Sequence, residues 1–375
     1  MKRMLIFLMF LSLLVPAALA ETALVPDYYA PMNPSLTKFA AEAGREVPGM
    51  RLSAYLSANE IWYAYGTPYG TNTVVLERHD KWGALRDIVT LKDLPGTDHE
   101  VMCVTRVGDL LLVGMRNLAL RGTVVVLDEA NRELVQVTLP GGVGIMSMQA
   151  APEGILCSGF MGKGTQSCFY LALVDAEGHI VFENTDIARD ADFNMGALAE
   201  SVSCAGERGY YATICERTRG EIHFRDRILV GFDAAGAQRW ENRLPDTIEI
   251  DGMTAAGGVV YLYGSYGEQD EYGAREVRQG WAGAWSEDGE CLWQRIFETP
   301  EKFGSAVADE TGCFLIGGFF PVRMAAVYAT GDMREMYRLQ FPDNVCIIGL
   351  ATDAGALTMT GYLYGEEKLF YFEMR

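Results

Sequence analysis

The sequence predicts an all-β protein, a β-propeller of about seven four-stranded blades closed by an N-terminal strand. Helical periodicity is almost absent after residue 20, and short runs rich in Val, Ile, Tyr, Phe and Leu follow one another. Gly, Asp and Asn interrupt these runs roughly every 8–12 residues, which is typical of many antiparallel strands. A third observation, a repeat along the chain, selects the propeller.

The repeat is a short apolar strand followed by a D-x-x-G-x-x-x-W segment. It is clearest at Asp233–Trp240, with variants at Asp175–Phe182 and Ser286–Trp293. Weaker copies begin at Asp128 and Thr330, so that successive anchors are 47, 58, 53 and 44 residues apart. A period of about 50 is typical of propeller blades. The acid is expected to accept backbone N–H groups and Gly to take the positive-φ position, while the aromatic packs on the neighbouring blade.

A second feature of each unit is an earlier apolar strand that ends in Gly. These strands are Trp62–Gly66, Leu110–Gly114, Ile155–Gly159, Val259–Gly264, Cys313–Gly318 and Leu357–Gly361, with Tyr210–Cys215 in the same place without the Gly. The count predicts seven units. The last strand, Leu369–Phe372, would be the third of its blade, so a segment before Pro48 is expected to supply the fourth. Such closure removes exposed sheet edges.

The alternatives are a propeller of six or eight blades, or a pair of β-sandwiches. The period favours blades, and the lack of a Pro- or Ser-rich linker after Pro48 argues against two domains. The expected organisation is a signal peptide at 1–20, an N-terminal arm with the closing strand at 21–47, and one β-propeller at 48–375.

The N-terminal segment has the three parts of a secretory signal peptide. Lys2 and Arg3 precede the apolar run Met4–Val15, and Ala18–Ala20 matches an A-x-A cleavage site. The run is shorter than the about 20 residues that a membrane-spanning helix needs. We therefore expect cleavage after Ala20, a secreted or otherwise extracytoplasmic protein, and no membrane insertion after cleavage; an uncleaved N-terminal anchor is the alternative.

Charge excludes one class of partner. The formal net charge is −19 and becomes −21 once the two cationic residues of the leader are removed. Nucleic acids and anionic lipids both require a basic surface. The sequence therefore predicts no nucleic-acid partner, and it leaves the oligomeric state open.

Cysteine usage indicates core residues more than a disulfide framework. Eight Cys are present, most of them inside apolar runs, where a free thiol behaves as a small hydrophobe. Cys157 and Cys168 flank a Gly-Lys-Gly turn and are the best candidate for a disulfide across a hairpin. We expect at most one or two disulfides.

The D-x-x-G-x-x-x-W motif and its preceding strand resemble the blade repeat of the quinoprotein-like (PQQ-type) β-propellers, over about five of the seven units. This resemblance implies the fold. Enzymes of that family require a quinone, calcium and a catalytic Asp, and they carry an adjacent Cys pair that this sequence lacks. Members without the cofactor are envelope scaffolds or binding proteins, so the resemblance implies a non-enzymatic member.

One acidic segment and the four His are the candidates for metal binding and acid–base chemistry. Asp190, Asp192 and Asn194 approximate a calcium loop, but the Gly of that loop is one position late and Ser201 replaces the bidentate Glu. A calcium site and an ordinary acidic loop both remain open, and no other cofactor is predicted. The four His lack ligand spacing and are interpreted as solvated.

The loops predict the binding face. In a four-stranded meander, the loops after strands two and four leave on the same face. The long second loops are Thr67–Asn72, Glu216–Phe224 and Tyr266–Arg278. Aromatic side chains surrounded by acidic side chains can bind sugars, cationic peptides or amines, although polar loops also occur without any ligand. The candidate ligand-binding residues are Trp62, Tyr65, Tyr69, Tyr266, Tyr272, Asp190 and Asp192.

These observations predict an exported propeller that binds a protein, peptide or glycan partner on its loop-rich face, with no catalytic residue assigned. The alternative is an extracytoplasmic enzyme, either a glycan hydrolase or lyase or a degenerate quinoprotein, with its site at the channel mouth. A close carboxylate pair at that mouth would favour the enzyme.

Overall fold

All regular elements of the computed structural model are β-strands, and no helix in the part of the chain it describes could cross a membrane. The described residues are 22–23, 28–31, 52–57, 59–67, 70–163, 166–189, 201–217, 224–245, 247–267, 279–297, 303–310, 312–317, 324–329, 335–340, 345–353, 356–363, 366 and 368–374.

Two N-terminal strands come first and join sheets formed much later in the chain. They are β1 (Thr22–Ala23) and β2 (Tyr28–Pro31). Blade I then contains β3 (Leu52–Leu56), β4 (Glu60–Gly66), β5 (Val74–Asp80) and β6 (Leu85–Leu91). Blade II contains β7 (Glu100–Val107), β8 (Leu110–Arg116), β9 (Gly122–Leu127) and β10 (Glu133–Thr138).

The next two blades follow the same antiparallel order. Blade III contains β11 (Val143–Ala151), β12 (Gly154–Lys163), β13 (Gln166–Asp175) and β14 (Ile180–Asn184), with a short fifth strand, β15 (Ala188–Arg189), paired to β13. Blade IV contains β16 (Ser203–Ala205), β17 (Tyr210–Arg217), β18 (Phe224–Phe232) and β19 (Gln238–Leu244).

The C-terminal third forms two blades and one mixed sheet. Blade V contains β20 (Ile248–Ala256), β21 (Val259–Tyr266), β22 (Gln279–Ser286) and β23 (Cys291–Phe297). Blade VI contains β24 (Phe303–Ala308), β25 (Gly312–Gly317), β26 (Met324–Ala329) and β27 (Glu335–Gln340). The composite sheet contains β28 (Val345–Asp353), β29 (Ala356–Leu363), β30 (Lys368–Met374) and β2.

The sheets form a ring around a central axis. The first strand of each sheet contacts the first strand of the next, from β3 through to β28, and β28 contacts β3. The hydrophobic clusters lie between neighbouring sheets, for example Trp62 and Leu76 of blade I with Val113 and Val125 of blade II. Second and third strands are buried almost continuously because a sheet covers each of their faces, whereas the outer strands are largely exposed.

The prediction of seven four-stranded blades closed by an N-terminal strand is wrong. Within the described residues, the chain builds six complete blades from consecutive strands, and three further strands occupy the last position of the ring as part of the composite sheet. The N-terminal segment also does more than add one strand. β1 runs parallel to β27 on the edge of blade VI, and β2 runs antiparallel to β30.

The acidic turns have the predicted geometry. Asp233 Oδ1 accepts the main-chain N–H groups of Ala235 and Ala237, both at 2.9 Å, and Gly236 has a φ of 77°. The same arrangement recurs at Asp80, Asp128 and Asp175, and Ser286 replaces the acid in blade V. The copy at Asp80 was missed because Trp82 and Gly83 are followed by no aromatic residue at the motif position.

The predicted Cys157–Cys168 disulfide is wrong. The register of β12 and β13 places Cys157 opposite Ala172 and Cys168 opposite Met161, four residues further along the ladder. Both thiols are free and buried, and Cys103 and Cys204 are buried as well. Burial also raises the pKa of the Cys157 thiol. The interpretation of these cysteines as core residues is confirmed.

Candidate functional site

A cavity of about 510 Å³ lies at the centre of the ring. Its lining comes mainly from first strands, the elements nearest the axis: 53–56, 102–105, 149–150, 263, 305–306 and 347–351. Small side chains such as Ala54, Ala150 and Ala306 leave space between these strands. A volume of this size is within the range of ligand sites in proteins, roughly 300–1,000 Å³.

The lining is polar but carries no full charge. Ser53, Thr105, Gln149 and Ser305 contribute hydroxyl and amide groups, and none of the lining residues is Asp, Glu, Lys, Arg or His. Ser53 Oγ donates to the carbonyl oxygen of Val101 at 3.3 Å, which leaves its lone pairs available as acceptors. The arrangement can exchange hydrogen bonds with an uncharged polar ligand.

Two tyrosines, Tyr55 and Tyr263, line the cavity. Tyr55 lies on β3 and is half-buried. Its pKa is raised chiefly by burial, which the Arg106 guanidinium opposes and the Glu60 carboxylate reinforces to a smaller extent. Tyr55 is therefore a neutral hydrogen-bond donor at physiological pH.

An ion cluster adjoins the cavity on the side of the turns between first and second strands. Arg106 follows the lining residue Thr105, and its Nε is 3.1 Å from Glu60 Oε1. Arg78 Nη1 is 4.0 Å from Glu60 Oε2, and its guanidinium lies over the ring of Trp62. We call Glu60, Arg78 and Arg106 the rim cluster.

The loops after second and fourth strands leave on the same face, as predicted. In blade I, Gly70 N–H donates to Asp98 Oδ1 at 2.6 Å, and Asp98 N–H donates to Thr71 O at 2.9 Å. In blade V, Gly267 N–H donates to the carbonyl oxygen of Thr247 at 2.9 Å. The Tyr266–Arg278 loop thus begins beside the connection between blades IV and V.

The loop between β6 and β7 stores backbone strain. Asp93 and Asp98 both have a φ of 56°, in the left-handed region that few side chains adopt. His99 follows at the start of β7 and is buried. Its pKa is lowered by burial, which an interaction with the Gly96 backbone and the charge of Asp98 partly oppose.

Three of the predicted ligand-binding residues, Trp62, Tyr65 and Tyr266, are among the described residues. Trp62 and Tyr65 are both buried and face opposite sides of blade I, towards blade II and the composite sheet respectively. Tyr266 ends β21 and packs in part against the core between blades IV and V. The other predicted residues lie outside the described residues: Tyr69, Tyr272, Asp190, Asp192 and the calcium-loop residue Asn194.

Two histidines interpreted as solvated are in fact buried, namely His79 and His99. His79 Nδ1 lies 3.1 Å from Gly83 O, and because a carbonyl only accepts, this nitrogen carries the proton. His79 Nε2 is 3.1 Å from Glu77 Oε2, and Tyr65 Oη donates to Glu77 Oε1 at 2.6 Å. This Tyr–Glu–His network holds blade I together and has no access to solvent.

Sequence reasoning missed the cavity because its lining residues lie on separate strands and follow no pattern that repeats from blade to blade. A usable signal was present in β3 and β28, where Ser53, Ala54 and Gly349 interrupt otherwise apolar strands. The described residues contain no group of three His, Cys, Asp or Glu side chains that could hold a metal ion.

Comparison with known proteins supports the fold. The β-propeller domain of the Trilobed protease from Pyrococcus furiosus, described as having an open velcro topology, is 12% identical with a TM-score of 0.53. The match covers 87% of this chain and 97% of that one. An uncharacterized protein from Listeria monocytogenes is 9% identical, with a TM-score of 0.46 over 86% of this chain and 93% of the other. No protein-family model and no curated sequence matches. The chain is a β-propeller.

Proposed function

We propose that the protein is exported through its N-terminal leader and binds a glycan, or a similarly hydroxylated segment of a partner, in the central cavity. The observation that carries this proposal is the cavity itself, a space of about 510 Å³ whose lining offers neutral hydroxyl and amide groups. Sugar hydroxyl groups are matched by such side chains, each of which can donate and accept.

The lining favours recognition over glycan cleavage. Glycosidases place two carboxyl groups about 5–10 Å apart on either side of the scissile bond. The residues that line this cavity include no carboxylate, and Glu60 of the adjoining rim cluster is already in contact with two arginines. The enzyme alternative therefore has no specific support from this site.

The first experiment tests binding with neutral oligosaccharides on an array, followed by calorimetry of the best ligand. Gln149→Leu removes an exposed amide from the cavity wall, and we expect it to weaken binding about tenfold, the effect of one lost hydrogen bond to a ligand. The matched control is Gln238→Leu on β19, whose amide donates to Glu241 at 3.1 Å on the outer edge of blade IV.

A second variant closes the cavity sterically. Ala150→Trp adds an indole at an exposed wall position, so binding should disappear while the melting temperature changes little. If no oligosaccharide or peptide binds, or if both cavity variants bind as the wild type does, the cavity is not the binding site. Export is tested separately, because the secreted protein should begin at Glu21 when its N-terminus is sequenced.

A further inference from the structure

The rim cluster contains more cationic hydrogen-bonding capacity than its own carboxylate uses. Glu60 is the partner of both Arg78 and Arg106. The 4.0 Å contact to Arg78 is beyond hydrogen-bond distance. The 3.1 Å contact to Arg106 lacks hydrogen-bond geometry, since Nε is buried without a partner among the described residues. Each guanidinium carries five N–H donors.

Three other arginines donate directly to a carboxylate. Arg116 Nε donates to Glu100 at 2.6 Å, and Arg132 Nε donates to Asp128 at 2.8 Å. Arg239 Nη2 likewise donates to Asp288 at 2.7 Å. The rim cluster differs because two guanidinium groups share one carboxylate without donating to it.

The cluster lies beside the cavity, where a bound ligand can accept from the N–H donors that Glu60 leaves unused. Arg106 is next to Thr105 in the cavity lining, and its charge acts on Tyr55, another lining residue. The side chains of Arg106 and Arg78 are 22% and 34% exposed, so a ligand can reach them. Asp87 lies opposite Arg78 on β6, but its carboxylate already accepts from Asn131 Nδ2 at 2.5 Å.

The protein has a formal net charge of −19 and repels anions in general. With Asp87 counted, the charges of the two arginines are matched, so the cluster offers an anion N–H donors that Glu60 does not use and no net positive charge. A planar guanidinium pairs with a carboxylate through two parallel hydrogen bonds, which gives both affinity and orientation.

We propose that the ligand is an acidic sugar with a single carboxylate, of the uronic acid class; this rests on the proposed function above. Arg106 binds the carboxylate, Arg78 supports it from the side, and Tyr55 donates a hydrogen bond from the wall. The hydroxylated body of the sugar occupies the cavity. A ligand with several carboxylates binds more weakly, because the lining has no second cation to receive them.

The test compares two disaccharides that differ only at one end, where one carries glucuronic acid and the other glucose. Calorimetry on the wild type should show about tenfold tighter binding of the acidic sugar, the effect of one charge-assisted contact. Arg106→Gln should abolish that preference and leave glucose binding within about twofold of the wild type. Arg86→Gln, which removes an exposed arginine paired with Asp80 on the outer edge, is the matched control and should keep the preference.

Glu60→Gln separates a binding role from a structural one. It removes the carboxylate that competes for Arg106, so the acidic disaccharide should bind about threefold or more tightly than to the wild type, a gain that follows from removing a like charge. A purely structural cluster would instead lose affinity for both sugars.

The outcomes are distinguishable. Equal binding of both disaccharides by the wild type overturns this inference and leaves the proposed function standing. Binding of neither disaccharide overturns this inference, whereas the proposed function fails only if no oligosaccharide or peptide binds in the cavity. An equal loss for both sugars in Arg106→Gln, with no gain in Glu60→Gln, makes the rim cluster structural and also overturns the inference.

Discussion

Blades IV and V meet through a repeated local motif, whereas blade I meets the composite sheet through contacts found nowhere else in the described ring. At the first interface, the indole of Trp240 lies between Gly231 and Gly289, where an added Cβ would come within 2.3 Å and 2.7 Å of the ring. Its Nε1 donates to the Glu287 carbonyl oxygen at 3.0 Å.

A carboxylate strengthens the same interface. The side chain of Glu287 is buried and accepts two main-chain N–H groups of blade IV, from Glu207 at 2.7 Å and Arg208 at 2.9 Å. The aromatic part of this arrangement recurs between blades III and IV, where Phe182 packs against Gly236. The outer edge therefore carries the same aromatic–glycine contact at two successive interfaces.

At the second interface the partners come from opposite ends of the chain. Tyr63 Oη is 2.6 Å from Thr360 Oγ1, across 297 residues of sequence, and Thr360 also donates to Phe370 O at 2.9 Å. Gly349 allows close approach of β28 to β3, since a Cβ would lie 2.4 Å from Leu56. The contacts between blades IV and V can form between neighbouring repeats of the sequence. The contacts between blade I and the composite sheet exist only after the ring has closed.

The largest effect is expected from removing the shared aromatic. Trp240→Ala should lower the free energy of unfolding by about 3 kcal/mol, at the lower end for Trp truncation because the indole is only half-buried. Urea denaturation gives the value. Trp82→Ala is the control, since that indole is 69% exposed and should contribute within about 0.5 kcal/mol. Equal effects of the two substitutions would refute the modular interface.

A smaller effect is expected at the buried carboxylate. Glu287→Gln replaces one accepting oxygen by an NH₂ group, so one of the two main-chain donors of blade IV loses its partner. The expected loss is about 1–2 kcal/mol in urea denaturation. Glu290→Gln in the same turn is exposed and should leave stability unchanged. An unchanged Glu287→Gln variant would mean that water replaces the acceptor.

A smaller loss of stability is expected when the hydroxyl contact between blade I and the composite sheet is removed. Tyr63→Phe should reduce stability by about 1 kcal/mol, because Thr360 retains its bond to Phe370. A double-mutant cycle with Thr360→Val isolates the pair. Additive single effects would show that the two hydroxyl groups are not coupled.

The smallest effect concerns pH. Burial lowers the pKa of His99 below its usual 6.5 in the folded state, so the unfolded chain binds the proton more readily. The contribution of His99 to stability is therefore fully present above pH 6.5 and is lost as the pH falls towards the folded pKa. His99→Gln should flatten the decline in melting temperature between pH 7.5 and 5.0, and an unchanged decline would assign it to other groups.

Local features were predictable from sequence where all the residues that produce them lie within one short segment. The acidic turns combine an acceptor with a residue able to adopt positive φ, and both are visible within five residues. The Cys157–Cys168 pairing failed because hairpin register depends on the whole ladder. Likewise, His79 was interpreted as solvated because nothing nearby in sequence shows that Tyr63 and the composite sheet cover it.

The sequence alone determined the propeller class, the strand-rich repeat, the turns, and the aromatic residues that join the outer edges of neighbouring blades. Only the tertiary structure decided how the ring closes, since β1 and β2 pair with strands more than 300 residues away. It alone also revealed the cavity and the rim cluster. The cavity residues lie mainly on separate first strands, and the rim cluster spans β4, β5 and β7. The ring brings these residues together by geometry that no single repeat encodes.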